Sequence, residues 1–464
     1  MWVALSATFG CYHAVPPEGA PCGSDSDCPS PQTCVAGACS LGGIAIDARV
    51  EDSLAIDAFD LCTCNAGTQT CSLSGQTQCE LGCSANGPRC AIVLPSNGIP
   101  TSDLDGATMD VVVSGVSLTT FDVNTGQISG GITRAAGSGV INGIGYYQHT
   151  DSVGSNTLAE FSMKSLSVTG TAQFTGSHSV VFLVATDVTI AGTIDVSGGS
   201  YGKDQRVAGP GAGTGGLGAT PAAGCGAGGT GASDVGTGAD TGGGGGGYGG
   251  AGAAGGIETA STTMFAGGVA GVACVSIGLE PLLGGSGGGG GGPGGGTALP
   301  GGGGGGALQI SALGTISVSG TINAGGAGGS PGPTNASNAG AGGGGGSGGG
   351  ILLEAITVGI TGVLAANGGG GGGSSDHSTT GTVGSNGFAG AAPAQPGTPG
   401  GSAAASGSGG SRSSAPGVGG NSTDVNSGAG GGGVGAIFVR STHPASPPGG
   451  TISPAPGVAM VRSQ

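Results

Sequence analysis

Uninterrupted glycine runs dominate the second half of this chain. Four of them are six residues long, at 242–247, 287–292, 301–306 and 368–373. Glycine has no side chain to bury, and it loses more conformational freedom on folding than any other residue. An ordinary hydrophobic core therefore cannot form from these runs. A collagen triple helix is excluded as well, because that fold needs glycine at every third position.

Glycine is unevenly distributed along the 464 residues. Only 24 of the 118 glycines lie before residue 198, and the other 94 lie in the last 267 residues, about 35 % of that part. The cysteines are concentrated at the other end, with 11 of 13 at or before Cys90. We therefore predict six regions: a signal or lipoprotein stub (1–11), a Cys-rich module (12–40), an acidic, extended spacer (41–61), a second Cys-rich module (62–90), the start of a β-solenoid (91–200) and a Gly-rich β-solenoid with polyglycine inserts (201–464).

The charge balance restricts the partners. The chain has 9 Lys and Arg against 25 Asp and Glu, a net charge of −16. A protein that binds nucleic acid needs clusters of basic residues to replace counterions on the phosphates, so we expect no nucleic-acid partner. No apolar stretch reaches the roughly 18 to 20 residues of a membrane span. Membrane contact is expected only through an N-terminal lipid anchor.

That anchor is predicted at Cys11. Residues 1–10 are apolar, with small residues near the end, and Cys11 follows them. This is the outline of a lipoprotein signal, although no Lys or Arg precedes the apolar run and the run is short. A start codon further upstream would account for both departures. The alternative is an ordinary buried or disulfide-bonded cysteine.

The other cysteines form even sets at short spacings. Such sets in small, loop-rich stretches predict disulfides and an oxidising compartment. Zinc is disfavoured, because the chain has no Cys-x-x-Cys pair. The predicted disulfide cysteines are Cys22, Cys28, Cys34, Cys39, Cys62, Cys64, Cys71, Cys79, Cys83, Cys90, Cys225 and Cys274.

One repeat recurs along the body. Its copies lie at 166–176, 188–198, 316–326 and 358–368, at offsets of 22, 128 and 42 residues. In each copy apolar residues alternate with small polar ones, a glycine turns the chain, and a second short strand follows. An apolar strand often precedes the copy, at 180–184, 307–310, 351–353 and 436–439. Period-2 alternation with a 22-residue offset predicts an all-β fold, a parallel β-helix in which stacked coils bury one another.

The larger offsets predict excursions from the coil. Segments 199–306 and 325–350 leave at a glycine turn and return to start the next strand. Such inserts are by default flexible linkers. The alternative is a packed array of polyproline-II-like helices held by main-chain hydrogen bonds. We favour partial order, with Cys225 and Cys274 stapling the longest insert.

Few residues are candidates for catalysis. Asp187 and Asp195 flank one coil, with Lys203 and Arg206 just beyond. They are weak candidates for the carboxylates of a polysaccharide-cleaving enzyme, the alternative being outward polar positions without a catalytic role. Matches to G-x-S-x-G at Ser286 and Ser347 carry no weight in so Gly-rich a chain. The calcium-binding nonapeptide pattern is approached at 228–234 but departs by one residue and does not recur. The five histidines are dispersed, and each is expected to be a surface residue rather than a ligand. We therefore predict no metal and no cofactor.

Two parts of the chain carry a resemblance. Residues 22–39 read C-G-S-D-S-D-C-P-S-P-Q-T-C-V-A-G-A-C, which resembles a Cys-rich module near the start of secreted lipoproteins of gliding predatory soil bacteria. The Gly-Thr-Ile coils, Pro95-Ser-Asn-Gly98 and the closing segment 449–456 look like Gly-rich proteins found beside such modules. In composition alone the body is similar to the PE-PGRS proteins. The resemblance implies a surface protein and assigns no activity to particular residues.

The function we expect is that of a non-enzymatic, secreted or lipid-anchored protein at the extracellular or outer-membrane surface, with a structural, matrix or adhesive role and polysaccharide or other matrix components as partners. One alternative is a polysaccharide-degrading β-helix enzyme. Another is a passive glycan- or ice-binding module that uses rows of threonines such as Thr171 and Thr193 on adjacent coils.

Overall fold

In the computed structural model the chain divides into two compact units, residues 1–60 and 61–464. The structure describes residue 24 and the ranges 32–35, 38–41, 62–71, 75–85, 87–115, 117–151, 156–199, 204–218, 220–233, 239–259, 264–294, 299–335, 338–412, 414–423, 425–443 and 449–464. The predictions for Cys11, Cys22, Cys28 and Lys203 fall outside these residues, as do those for the side chains of Cys39 and Cys62 and for the spacer after Leu41.

Short antiparallel ladders characterise both Cys-rich modules. In the first unit β1 (Gln32–Val35) and β2 (Ala38–Leu41) form a hairpin. In the second unit β3 (Cys62–Asn65), β4 (Thr68–Cys71) and β5 (Gly75–Gln78) form a three-stranded sheet. Ala66 and Gly67, with φ of 47° and 80°, make the two-residue turn that suits the twist of a hairpin.

Disulfides take the place of a hydrophobic core in the second module. Its described disulfides are Cys64–Cys83 and Cys79–Cys90, and a third, Cys225–Cys274, lies in the Gly-rich part. Such bonds typically contribute about 2 to 4 kcal/mol each. The prediction is confirmed for all eight cysteines whose side chains are described, namely Cys34, Cys64, Cys71, Cys79, Cys83, Cys90, Cys225 and Cys274.

The rest of the second unit consists of strands and extended loops. Its strands are β6 (Asp110–Val113), β7 (Thr119–Asp122), β8 (Ile128–Ser129), β9 (Gly139–Ile141), β10 (Ile144–Thr150), β11 (Thr157–Met163), β12 (Ser165–Val168), β13 (Thr171–Thr175), β14 (Ser179–Val184), β15 (Val188–Ile190), β16 (Thr193–Asp195), β17 (Glu258–Thr259), β18 (Met264–Phe265), β19 (Ala307–Ala312), β20 (Thr315–Val318), β21 (Thr321–Asn323), β22 (Thr334–Asn335), β23 (Asn338–Ala339), β24 (Gly350–Glu354), β25 (Thr357–Ile360), β26 (Val363–Ala365), β27 (Ala436–Ser441), β28 (Thr451–Ser453) and β29 (Gly457–Met460). The helices of the described part are two short 3-10 helices, Thr101–Leu104 and Ile277–Leu279. Neither is long or apolar enough to cross a membrane.

Most of these strands belong to three mainly parallel sheets. The eight-stranded sheet has the order β29-β27-β24-β19-β14-β11-β10-β9, the seven-stranded sheet β28-β26-β21-β16-β13-β7-β8, and the five-stranded sheet β25-β20-β15-β12-β6. Successive strands go to different sheets, so β11-β12-β13, β14-β15-β16, β19-β20-β21 and β24-β25-β26 are four equivalent triplets. Each triplet lies beside the next in all three sheets.

The strand register confirms the alignment of the sequence repeat. Leu166 lies beside Val188, Val188 beside Ile316, and Ile316 beside Val358. These pairings reproduce the offsets of 22, 128 and 42 residues. The apolar strands predicted before each copy are β14, β19, β24 and β27, all in the eight-stranded sheet. The Gly-rich inserts leave after β16 and β21 and return at β19 and β24, as predicted.

Inward side chains of the three sheets form one continuous core. Alternate residues such as Leu166, Ile194, Ile310 and Leu353 are at most 2 % exposed and belong to it. The eight-stranded sheet is buried on its outer side too, where Val181, Leu183 and Leu352 pack with other apolar residues. Its central strands β14, β19 and β24 are therefore buried at every residue, as is typical of parallel strands covered on both faces.

The N-terminal end of this core is closed by antiparallel hairpins that the sequence did not predict. Here β8 pairs with β7, β9 pairs with β10, and β10 pairs with β11. Arg134 is only 1 % exposed. Its guanidinium donates hydrogen bonds to the carbonyl oxygens of Gly126, Ala135, Gly139 and Ile144 at 2.6–3.1 Å. Four of the five guanidinium N–H groups thus donate to main-chain oxygens, which offsets the cost of burying the cation.

The Gly-rich segments are joined by main-chain hydrogen bonds with a period of three residues. Gly326, Gly329 and Gly332 donate in turn to the carbonyl oxygens of Asn367, Gly370 and Gly373, at 2.9 Å each. Three residues per turn is the period of the polyproline II helix. Of the two alternatives for the inserts, the hydrogen-bonded array is the one that the structure shows, and the flexible linker is wrong for the described segments.

The centre of this glycine bundle is segment 338–350. Its N–H and C=O groups bond to six other segments among the described residues, namely 239–250, 283–294, 299–306, 324–335, 366–376 and 426–436. A Cβ atom built on Gly342 to Gly346, Gly348 or Gly349 would lie 1.9–2.4 Å from a carbonyl oxygen of a neighbour. Only glycine allows such close packing at these positions. The bundle therefore requires glycine runs, the same runs that cannot build an ordinary hydrophobic core.

Candidate functional site

The outward side of the seven-stranded sheet carries a row of threonines. Thr171, Thr193 and Thr321 occupy successive positions of the ladder on β13, β16 and β21. Neighbouring strands lie roughly 4.8 Å apart, which sets the spacing of the hydroxyl groups. The predicted stacking of Thr171 and Thr193 is confirmed, and Thr321 extends it.

A second outward row lies two residues further along the same strands. It consists of Gln173, Asp195 and Asn323. Gln173 Nε2 donates to Thr120 Oγ1 at 2.7 Å, and Asn323 Nδ2 donates to Asp195 Oδ1 at 3.3 Å. These bonds between neighbouring strands hold the side chains in place. The two rows together are called the threonine face below.

The five-stranded sheet presents a similar but plainer surface. Ser167, Thr189 and Ser317 follow one another in register on β12, β15 and β20, and Thr189 and Ser317 are exposed. This second polar surface provides a comparison for experiments on the threonine face.

The two carboxylates considered for catalysis lie at strands of different sheets. Asp187 precedes β15, and its Oδ1 accepts a hydrogen bond from the Thr315 N–H at 2.8 Å. Asp195 ends β16, and its Oδ1 accepts from the N–H and the hydroxyl of Ser197 at 2.9 and 2.6 Å. Arg206 donates through Nε to the Gly215 carbonyl at 3.0 Å. Each of these three side chains thus bonds to a main-chain group.

Ser286 and Ser347 serve the glycine bundle. Both are fully buried. Ser347 Oγ accepts a hydrogen bond from the Ser286 N–H at 2.8 Å, and Ser286 Oγ accepts one from the Gly226 N–H at 2.9 Å. Their hydroxyl groups accept hydrogen bonds from main-chain N–H groups inside the bundle.

The sequence did not predict an acid–histidine cluster at the start of the eight-stranded sheet. Asp103 lies in the first 3-10 helix, His149 on β10 and Glu160 on β11. Because Leu158 faces His149 in the antiparallel ladder, His149 and Glu160 are diagonal neighbours on one side of the sheet. His149 Nε2 lies 2.9 Å from Glu160 Oε2 and 2.9 Å from Asp103 Oδ2.

Burial determines the electrostatics of this cluster. The side chain of Glu160 is 0 % exposed, while Asp103 and His149 are 17 % and 23 % exposed. Burial raises the pKa of Glu160 to about 7, although the hydrogen bond with His149 opposes the shift. That hydrogen bond in turn is the main reason why the pKa of His149 is raised. One imidazole N–H bonded to Glu160 leaves Asp103 Oδ2 and Glu160 Oε1 buried without a hydrogen-bond partner.

The expectation that each histidine is a surface residue is wrong for His149, which is partly buried between two carboxylates. The pairing depends on the register of the β10–β11 hairpin. That hairpin was not predicted, and the three residues show no recognisable spacing in the sequence. His377 and His443 are exposed, as expected.

Comparison of the chain with protein-family models, with curated proteins and with solved structures finds no match. The functional argument therefore depends on the site geometry.

Proposed function

We propose that this chain is a non-enzymatic, secreted or lipid-anchored cell-surface protein that adheres to polysaccharide through the threonine face. In this proposal each strand triplet is one coil of a parallel β-helix with polyglycine insertions. The observation that carries the proposal is the alignment of Thr171, Thr193 and Thr321 on neighbouring strands.

The chemistry of the face suits a sugar polymer. Hydroxyl and amide groups can donate and accept hydrogen bonds, and so can the hydroxyl groups of a polysaccharide. A single such bond contributes only about 0.5 to 1.5 kcal/mol net. A repeating surface that meets a repeating polymer adds many weak contacts together, because each contact raises the effective concentration of the next. This favours adhesion over binding of one small ligand.

The glycine bundle supports a structural role. Its main-chain groups are bonded to one another, and side chains that could transfer a proton are rare in it. A catalytic pocket needs converging titratable groups, whereas Asp187 and Asp195 each serve a separate main-chain contact. These observations favour a stiff matrix or adhesive protein over a polysaccharide-cleaving enzyme.

The disulfides support the proposed compartment. Small disulfide-rich modules persist in oxidising environments such as the cell exterior and the bacterial periplasm. Cys64–Cys83, Cys79–Cys90 and Cys225–Cys274 fit a protein of the extracellular or outer-membrane surface.

A pelleting assay tests the proposal. The full chain is incubated with a panel of insoluble polysaccharides, and bound protein and newly released reducing ends are measured together. The test variant carries Thr171→Val, Thr193→Val and Thr321→Val. Valine keeps the shape and the β-preference of threonine but removes the hydroxyl group. The control is Thr189→Val on the five-stranded sheet.

We expect the wild type and the control to pellet with at least one polysaccharide without releasing sugar, and the triple variant to lose this binding. Unchanged pelleting of the triple variant would exclude the threonine face. Sugar release that is lost on replacing Asp187 and Asp195 with Asn would show an enzyme instead. Absence of pelleting combined with ice-growth inhibition that depends on the same threonines would assign the face to ice.

A further inference from the structure

We propose that Asp103, His149 and Glu160 bind one divalent cation of the zinc type. Their ligand atoms, one from each residue, all lie within 4.8 Å of one another. One imidazole nitrogen and two carboxylate oxygens are a donor set that zinc accepts in proteins. Three protein ligands leave a fourth position for water.

The distances are close to what such an ion needs. Nε2 of His149 lies 2.9 Å from one oxygen of each carboxylate. Ligands about 2.0 to 2.1 Å from a tetrahedral zinc ion are roughly 3.3 Å apart. The imidazole nitrogen must therefore move about 0.4 Å away from each carboxylate oxygen, and all three ligand atoms already lie within 4.8 Å of one another. The side chains of Asp103 and His149 are 17 % and 23 % exposed, so the cluster lies close to solvent.

The unbonded oxygens point to a positive ligand. Glu160 is fully buried, and its Oε1 has no hydrogen-bond partner. Asp103 Oδ2 is buried in the same way. Buried carboxylates are normally paired or bound to metal, and His149 supplies one N–H for the two of them. A divalent cation would neutralise the charge of both carboxylates. It would lie between them, where the single imidazole N–H can bond to only one carboxylate at a time.

Such an ion would join separate parts of the chain. Asp103 belongs to the 3-10 helix Thr101–Leu104, whereas His149 and Glu160 belong to the β10–β11 hairpin. The ion would hold this helix on the hairpin that begins the eight-stranded sheet. We therefore assign it a structural role that is independent of the threonine face.

Zinc binding to the full, disulfide-bonded chain tests this proposal. The protein is freed of metal with a chelator and titrated with Zn²⁺ in a calorimeter, and Co²⁺ is added separately to record its absorption spectrum. We expect one ion per chain, a rise of the melting temperature with Zn²⁺, and Co²⁺ bands typical of a four- or five-coordinate site.

The test variants are Glu160→Gln and His149→Gln, and the matched control is His377→Gln on the exposed loop. Loss of outer-shell partners already weakens metal sites by about 10- to 100-fold, so we expect each test variant to bind Zn²⁺ at least 100-fold more weakly. The control should bind like the wild type. Glu160→Gln removes a buried charge and should remain folded, which circular dichroism checks. Absence of one-to-one binding by the wild type, or equal binding by Glu160→Gln, would overturn the proposal.

Discussion

At the scale of single residues, glycine acts here as a packing residue. In the centre of the bundle each glycine lets a neighbouring carbonyl oxygen occupy the space where a Cβ atom would be. The gain is a set of main-chain hydrogen bonds that satisfies donors in the absence of side chains. Position within the bundle thus decides whether a glycine can be replaced.

This leads to a prediction for Gly345→Ala. The new Cβ atom would lie 2.1 Å from the Gly369 carbonyl oxygen, so one segment must move. Overpacking of a dense interior typically costs about 1 to 3 kcal/mol, and we expect the free energy of unfolding to fall by at least that much in a denaturant titration. Gly359→Ala is the control, because nothing lies within 4 Å of its Cβ position on β25. Equal losses in the two variants would contradict the explanation.

Residue roles that depend on partners distant in the chain were hard to predict. The motif around Ser286 and Ser347 is made only of glycine, so it could not indicate the main-chain contacts of these two serines. Asp187 bonds to the main chain of Thr315, and Asp195 to Ser197 and Asn323, contacts that the sequence pattern did not indicate. His149 was misjudged because its partners are brought together by an unpredicted hairpin and a short 3-10 helix.

At the scale of elements, a polar network joins β24 and β27 of the eight-stranded sheet to Glu280 in the longest insert and to Arg462 near the end of the chain. Arg440 on β27 contacts Glu354 on β24 at 3.2 Å and Glu280 at 2.5 Å. Arg462 donates to both carboxylate oxygens of Glu280, at 2.6 and 2.9 Å. Glu354 and Arg440 are nearly fully buried. Such a pair is costly to break, because removal of one member leaves a buried charge.

The network predicts a pH dependence of stability. Burial alone would raise the pKa of Glu280, but the hydrogen bonds from Arg462 and Arg440 outweigh it and lower the pKa below 4.5. A lowered carboxylate pKa stabilises the folded state above the unfolded-state value and loses this contribution as the pH falls through the folded-state pKa. The free energy of unfolding should therefore fall more steeply below pH 4.5 in the wild type than in Glu280→Gln.

The measurement is a series of denaturant titrations from pH 7 to pH 3. Glu80→Gln, at an exposed position, is the control and should follow the wild type. Parallel curves for the wild type and Glu280→Gln would show that Glu280 contributes nothing to the acid sensitivity.

Among the elements, the strands were predicted best. Alternation of apolar and polar residues allowed the register of the repeat to be predicted, since the apolar face of each strand must be buried. The antiparallel strands β8, β9 and β10 were missed because they occur once and match no other copy. The hydrogen-bonded array of the inserts was predicted only as an alternative to flexible linkers. A glycine run contains no pattern that shows which segments lie beside it.

At the scale of the whole molecule, the second unit joins two kinds of interior. One is the apolar core of the three sheets, and the other is the glycine bundle held by main-chain hydrogen bonds. Gly350 and Ala436 lie where bundle segments enter β24 and β27, and Cys225–Cys274 ties two parts of the longest insert together. We expect the two interiors to unfold together.

Amide hydrogen exchange checks this expectation. The N–H groups of residues 341 to 349 are all hydrogen-bonded, so they should exchange as slowly as those of Ile310 and Ser311 on the buried strand β19. Exchange of the most protected amides requires global unfolding. The exposed Ala391 and Ala392 should exchange rapidly. Rapid exchange at 341 to 349 would restore the flexible-linker interpretation.

The two buried serines of the bundle have one further consequence. A run of identical residues on a three-fold screw can advance by one residue and occupy the same sites again, so it carries no information about where it should stop. Ser286 and Ser347, each bonded to the other's segment, cannot advance without losing those bonds. They act as positional markers within otherwise uniform runs. The rare residues that interrupt the glycines therefore specify a single alignment, while the glycines make dense packing possible.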